Sequence, residues 1–260
     1  MGKPWVPPWE VSLLTVDGLR VRLPIAGGDV TVVDGVAYDV RPAEVFGIAG
    51  ESGSGKTISM LALLGLLPDR STVEGSARFD GKELLTMPRR RLRAITGREL
   101  TMVFQDPMTS LHPMLSVGKQ LTEHVRSHLG LDRRSAEKRA VELLADVRIP
   151  DPPSALHAYP HQFSGGMRQR IAIAIALACR PKLLIADEPT TALDVTVQAG
   201  ILRLLDRLRH EHELAVVLIT HDLGVLSSIA DTVSIFYAGR VVESGTRDAV
   251  LQHQIGRAHV

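Results

Sequence analysis

The amino-acid sequence predicts an α/β fold: a core with a mainly parallel sheet, an N-terminal antiparallel β subdomain and an inserted α-helical subdomain. Three observations lead there. Two nearly continuous apolar runs, Lys182–Ala186 and Leu214–Thr220, have helical patterns before or after them, as strands buried on both faces of a parallel sheet do. The first forty residues instead alternate apolar and polar positions at period two. From Pro107 to about Pro160 the strand signal disappears and helix-type patterns take over.

Taken in order, Leu13–Val16 and Leu19–Leu23 read as strands, and turn signals at Asp17-Gly18, Gly27-Gly28-Asp29 and Asp34-Gly35 predict that this region is a meander of short antiparallel strands. Val45–Ala49 is a short apolar run before a glycine-rich turn and the helical pattern Ile58–Leu67, which is strand, loop, helix. A second antiparallel piece is expected around Gly75–Leu85, then a basic stretch, Arg89–Arg93, read as a solvated helix face. The next strand is expected at Leu100–Phe104. The insertion contains a helix near Ser135–Val147, set off by Pro150, Pro152 and Pro153.

Composition bounds the function. The 260 residues are 45% hydrophobic and 23% charged, with 30 Lys and Arg against 29 Asp and Glu, so bulk charge does not hold this chain to nucleic acid. The single cysteine, Cys179, excludes an internal disulfide framework or a multi-cysteine metal site within the chain, and the reading is a reduced, cytoplasmic protein. Met1–Glu10 lacks the features of a secretory signal. The longest apolar run, Ile171–Cys179, is about half of the ~18–20 residues needed to cross a bilayer.

The strongest local signal is Gly50-Glu51-Ser52-Gly53-Ser54-Gly55-Lys56-Thr57, a G-x-x-x-x-G-K-[ST] pattern between predicted strand and predicted helix. Its glycines let successive backbone N–H groups and the positive helix end face a phosphate chain. Lys56 would reach the β- and γ-phosphates and the Thr57 hydroxyl would ligate Mg²⁺. Downstream, the apolar strand Leu183–Ala186 ends in adjacent carboxylates: Asp187 would hold Mg²⁺ through its waters and Glu188 would act as general base. Ser164-Gly165-Gly166 at the start of a predicted helix is either a second anion site or a serine N-cap on a glycine-rich turn. Two phosphate sites with one nucleotide's worth of other machinery suggest that the second serves another copy in a head-to-tail pair. His157 and His161 are four apart, but Pro160 breaks any helix between them, so a metal pair is not expected.

The order of these elements resembles the nucleotide-binding subunit of an ATP-binding cassette (ABC) transporter. The P-loop, Gln105 in Met102–Pro107, Ser164–Gly166, the Asp187-Glu188 strand, Ala192-Leu193-Asp194 and His221 in Ile219–Asp222 all occur in the family's order. The resemblance implies that Gln105 links the Mg²⁺ and water site to the helical insertion. It also implies that Ser164, Gly165 and Gly166 contact the γ-phosphate in trans, that Asp194 is a carboxylate across the dimer interface, and that His221 touches the γ-phosphate. Phe104–Leu111, Gly165–Arg170 and Asp187–Gln198 are similar to the ATPases of dipeptide, oligopeptide and nickel importers.

By that resemblance the chain is expected to be an ATP-hydrolysing subunit powering uptake of peptides or a related small solute or nickel. It would work with ATP and Mg²⁺, two transmembrane permease subunits, a second ATPase subunit and, indirectly, an external solute-binding protein, peripherally on the cytoplasmic face of the inner membrane and without nucleic acid. The alternatives are a soluble ABC-type ATPase not coupled to transport and a non-hydrolysing nucleotide-binding module. One ABC ATPase domain is expected over 10–253, with core and antiparallel parts at 10–106 and 181–253 and a helical subdomain at about 107–180. Three departures stand out: Leu23 where the family stacks an aromatic on adenine, His112 where this branch has Asn, and Gly200 inside a predicted helix at a cost of ~1 kcal/mol. The last seven residues, Gln254–Val260, read as an in-frame translation of a sequencing adapter (CAG ATC GGA AGA GCA CAC GTC). The native part is therefore expected to end near His253, and the resemblance implies a further C-terminal segment that in many members includes a cysteine cluster.

Overall fold

A computed structural model describes residues 12–253 apart from Gly27 and Ala192. The readings placed on Met1–Glu10, on Gly27, on Ala192 and on the expected non-native tail Gln254–Val260 lie outside the described residues. The chain begins with β1 (Leu14–Ile25), β2 (Gly28–Val40), β3 (Val45–Gly50), α1 (Lys56–Leu64), β4 (Thr72–Phe79), β5 (Lys82–Glu83) and α2 (Arg89–Ile95). Then come β6 (Leu100–Val103), α3 (Pro107–Ser110), α4 (Val117–Leu129), α5 (Arg133–Asp146), α6 (Pro152–Ala155), one 3₁₀ turn (Pro160–Gln162), α7 (Gly165–Ala176), β7 (Leu183–Asp187) and α8 (Val195–His212). It closes with β8 (Ala215–Thr220), α9 (Leu223–Ile229), β9 (Thr232–Tyr237), β10 (Arg240–Thr246) and α10 (Arg247–His253). Two compact units result, one from the chain up to Leu92 together with Ala215 onward, the other from Arg93–Leu214.

In the first unit, β2, β1, β4 and β5 lie side by side as an antiparallel sheet. The structure corrects the expected meander of short strands. Asp17-Gly18 and Asp34-Gly35 do not turn the chain: β1 and β2 run through them as two long strands, with register shifts between Val16, Leu19 and Val21. Gly18 and Gly35 have φ of 60° and 68°, so each takes the left-handed conformation of a β-bulge, which bends a strand without ending it. Asp34, beside the second bulge, accepts from Arg20 Nε at 2.8 Å and Arg240 Nη2 at 2.5 Å, tying β1, β2 and β10 together.

These two guanidinium groups hold the Asp34 carboxyl below the usual aspartate range, the hydrogen bond from Arg20 being the largest influence. A carboxylate with a depressed folded-state pKa contributes stability above its unfolded value, lost as pH falls through the folded one. Asp34→Asn is therefore expected to lower the Tm at pH 7 more than below about pH 4. Thermal melts of both proteins across that range check this, and an equal offset at every pH would contradict it.

The same unit holds the parallel core. β8 and β9 flank β3 in parallel, with Ala49 opposite Thr220 and Gly50 opposite Phe236, and β10 pairs β9 antiparallel. β8 is buried along its whole length and β3 is buried up to Ala49, as the continuous apolar runs predict. α1 starts at Lys56 and stops earlier than its apolar pattern suggests. Gly65, at φ 66°, closes it with its N–H on Ala62 O, and Leu66 N–H reaches Leu61 O at 2.9 Å.

In the second unit β6 and β7 pair in parallel, Val103 opposite Ala186, and all five residues of β7 are buried. The region from Pro107 to Pro160 is helical, as expected. Its helices open on short polar side chains that satisfy otherwise unpaired N–H groups: Asp106 for α3, Ser116 for α4, Asp132 for α5 and Asp151 for α6. Gly200 does not interrupt α8. A Cβ there would lie 3.1 Å from Arg170 Nη2, and Arg170 donates through Nη1 to Val147 O, so the missing side chain makes room for a guanidinium that caps the end of α5. Arg89, Arg90, Arg91 and Arg93 are exposed and Leu92 is buried, as a solvated helix face requires. Among the described residues, no helix is long and apolar enough to cross a membrane.

Candidate active site

The first unit carries the glycine-rich loop. β3 ends at Gly50, the chain curls through residues 51–55, and α1 begins with Lys56. Gly55 has φ 95° and a Cβ on it would sit 2.7 Å from Val32 O, so no other residue fits without displacing β2. Lys56 is 5% exposed and folds back over the loop, its Nζ donating to Gly50 O at 2.7 Å and Glu51 O at 2.8 Å. Those carbonyl oxygens occupy the place of anionic oxygens around a buried ammonium.

Ser54 supplies a test of whether this loop fits a phosphate chain. Its Oγ is buried and has no hydrogen-bond partner in the protein, an arrangement that costs about 1–3 kcal/mol unless a ligand oxygen meets it. The sequence marks Ser54 only as one member of the loop, because a serine inside a glycine-rich run gives no signal of its own. Thr57 comes directly after Lys56 on the first turn of α1 and is half-buried. His221 is exposed just past the end of β8, and the pairing of Ala49 with Thr220 brings it out beside the start of the loop. Asp222 next to it caps α9, accepting from Gly224 N at 2.8 Å.

The second unit carries the carboxylates. β6 and β7 end level with one another, and two residues just beyond them meet: Gln105 Nε2 donates to Glu188 Oε2 at 3.2 Å. Thr191 Oγ1 donates to the same oxygen at 2.9 Å. Asp187 is 5% exposed and Glu188 is half-buried. Glu188 also has φ 45°, left-handed for a residue with a full side chain, which costs about 1–3 kcal/mol and persists only where the surroundings hold it. Nothing in the sequence signals this backbone geometry, since Pro189 favours extended, not left-handed, geometry in the residue before it.

Ser164–Gly166 and Asp194 also come together in this unit. Ser164 is the N-cap of α7, accepting from Met167 N at 3.3 Å, and Asp194 is the N-cap of α8, accepting from Val197 N at 2.9 Å. The N-cap role weighed for Ser164 is therefore real, and it leaves the amides of the first turn of α7 facing outward with the helix dipole behind them. Gly165 approaches Leu193, and a Cβ on Gly166 would lie 2.4 Å from Val197 Cγ1. Gly166 thus serves close packing against α8 as well as offering a bare amide, a constraint that sequence alone does not reveal, whereas a Cβ on Gly165 would meet Leu193 only at an ordinary 3.5 Å. Leu23 is half-buried on β1 opposite Val30.

A strand, a glycine-rich loop and a helix with a lysine folded into the loop define a P-loop nucleotide-binding domain. The family model described as ABC transporter matches residues 33–191, and this chain belongs to that family. Among curated relatives, the oligopeptide transport ATP-binding protein of Haemophilus influenzae is 49% identical over 241 residues, covering 93% of this chain and 75% of that protein. The dipeptide transport ATP-binding protein of Bacillus subtilis is 48% identical over 238 residues, 91% of this chain and 71% of that protein. Among solved structures, a dimeric ATP-binding cassette, MJ0796, in a post-hydrolysis state bound to ADP and Pi superposes with a TM-score of 0.80 at 26% identity, over 90% of this chain and 98% of that one. cbiO1 of Clostridium perfringens, part of the ABC transporter complex cbiONQ, gives 0.79 at 27% identity, over 94% and 92%.

Proposed function

We propose that this chain is the ATP-hydrolysing, nucleotide-binding subunit of an ABC importer, powering uptake of peptides. The observation that carries this reading is near-half identity, over more than nine-tenths of the chain, to peptide transport ATP-binding proteins. The fit of the residues to phosphate supports it. Gly50–Thr57 supply amides, the buried Lys56 ammonium and the unpaired Ser54 hydroxyl, a lining rich in donors and suited to a polyanion.

The residue roles match the family's motif order. Lys56 binds the β- and γ-phosphates, and Thr57, Gln105 and Asp187, the last through water, would hold Mg²⁺. When bound, that ion would neutralise charge on the phosphate oxygens. Glu188, oriented by Gln105 and Thr191, positions a water and takes its proton as the water attacks the γ-phosphorus. His221 steadies the γ-phosphate in the same chain. Ser164, Gly165 and Gly166 reach the nucleotide of a second ATPase subunit in a head-to-tail pair, and Asp194 lies at that interface.

The wider assignments are a single ABC ATPase domain over 10–253, with a helical subdomain at about 107–180. It works peripherally on the cytoplasmic face of the membrane beside two permease subunits and, indirectly, an external solute-binding protein. The chain is expected to hydrolyse ATP only with Mg²⁺ and, co-expressed with the permease pair and binding protein of a peptide importer, to restore uptake of a labelled oligopeptide to cells lacking their own peptide ATPases. Hydrolysis without any restored uptake would favour an ATPase not coupled to peptide transport, and absence of hydrolysis would favour a non-hydrolysing module.

A further inference from the structure

His124 and His128 stand four residues apart on α4, the spacing that places two side chains one above the other on a helix face. Their ring centroids are 4.6 Å apart with planes inclined at 47°, so the imidazoles are neighbours rather than diverging surface groups. Both residues are half-buried and converge on one residue of another segment, Gly97, in the turn before β6. His124 Nε2 lies 3.2 Å from Gly97 O. A Cβ on Gly97 would lie 3.2 Å from His128 Nε2 and 3.8 Å from His124 Cε1, so the absence of a side chain there lets both rings approach the same glycine. Nothing in the P-loop, carboxylate or helix-cap machinery uses these three groups.

We propose that His124, His128 and the Gly97 carbonyl form a binding site for a divalent transition-metal ion of borderline softness, such as Ni²⁺, Cu²⁺ or Zn²⁺. Imidazole nitrogen selects such ions over Mg²⁺ and Ca²⁺, which require oxygen donors. Among the described residues no group of three or more His, Cys, Asp or Glu side chains forms a metal cage, so water completes the coordination shell. Burial, and secondarily the neighbouring His128, holds the His124 pKa below the ordinary histidine value. Binding through Nε2 moves the ring proton of the Nε2–H tautomer to Nδ1 and exchanges its contact with Gly97 O for a shared metal, with no net change in protons. The ion then fastens α4 to the turn that leads through β6 to Gln105.

Titration of the tag-free chain with Ni²⁺ by calorimetry, and with Cu²⁺ by its visible d–d band, tests this directly. One tight site is expected, weakened at least about tenfold in either His124→Gln or His128→Gln because the chelate is broken. His157→Gln should leave it unchanged. If His124→Gln misfolds by circular dichroism, His128→Gln and the protection of both rings by Ni²⁺ against diethylpyrocarbonate, mapped by mass spectrometry, decide the matter. Unchanged binding in folded His128→Gln, or equal modification of both rings with and without Ni²⁺, overturns the proposal.

Discussion

Glu188→Gln is expected to abolish ATP turnover, lowering kcat by about 10²–10⁴-fold, while ATP binding survives and a nucleotide-trapped dimer accumulates. The substitution is informative because it is nearly isosteric. The bonds from Gln105 Nε2 and Thr191 Oγ1 both fall on Oε2, and an amide oxygen at that position can accept both. The left-handed backbone at residue 188 would also be kept, since glutamine and glutamate differ little there. What disappears is the capacity to take a proton from water. Steady-state hydrolysis, ATP binding and sedimentation with and without ATP separate these effects, and undiminished hydrolysis by Glu188→Gln would remove Glu188 from the reaction.

Lys56→Met should fail one step earlier. The Lys56 ammonium is almost fully buried, and removing a preorganised charge from a phosphate site costs about 10²–10³-fold in rate, with further loss in binding. Methionine approximates the length of the lysine stem, so α1 and the loop should retain their backbone while the bonds to Gly50 O and Glu51 O vanish. The expected signature is a fall in kcat/KM with weakened ATP binding and no ATP-dependent dimer, unlike Glu188→Gln. A variant that bound ATP normally and turned it over at the original rate would refute the P-loop role of Lys56.

Much of the fold is legible in the sequence because its signals are local. The continuous apolar runs mark β7 and β8, and the change from period two to helical spacing marks the insertion. The glycine-rich pattern locates the point where β3 hands over to α1. Errors arise where one residue type serves two geometries. Asp-Gly pairs punctuate both turns and bulges, so Gly18 and Gly35 signal strand ends although the long strands β1 and β2 bend through them. Gly200 reads as a weakness in α8 because the Arg170 guanidinium that fills its space comes from another helix. The candidate site divides in the same way. Residues in short patterned runs, Lys56 and Glu188 among them, can be named from spacing, whereas the pairing of Gln105 with Glu188 joins positions 83 residues apart that only strand register brings together.

The meshing of Gly166 with Val197 has a consequence for how the starts of α7 and α8 move. A side chain at Gly166 would collide with Val197, so the first turns of α7 and α8 mesh there like two teeth of one gear. Through this contact a displacement of Gly166, two residues after Ser164, presses on Val197, three residues after Asp194. In the proposed head-to-tail pair, a second subunit would meet Ser164 and Asp194 on two helix starts joined by one packed contact rather than on two separate loops.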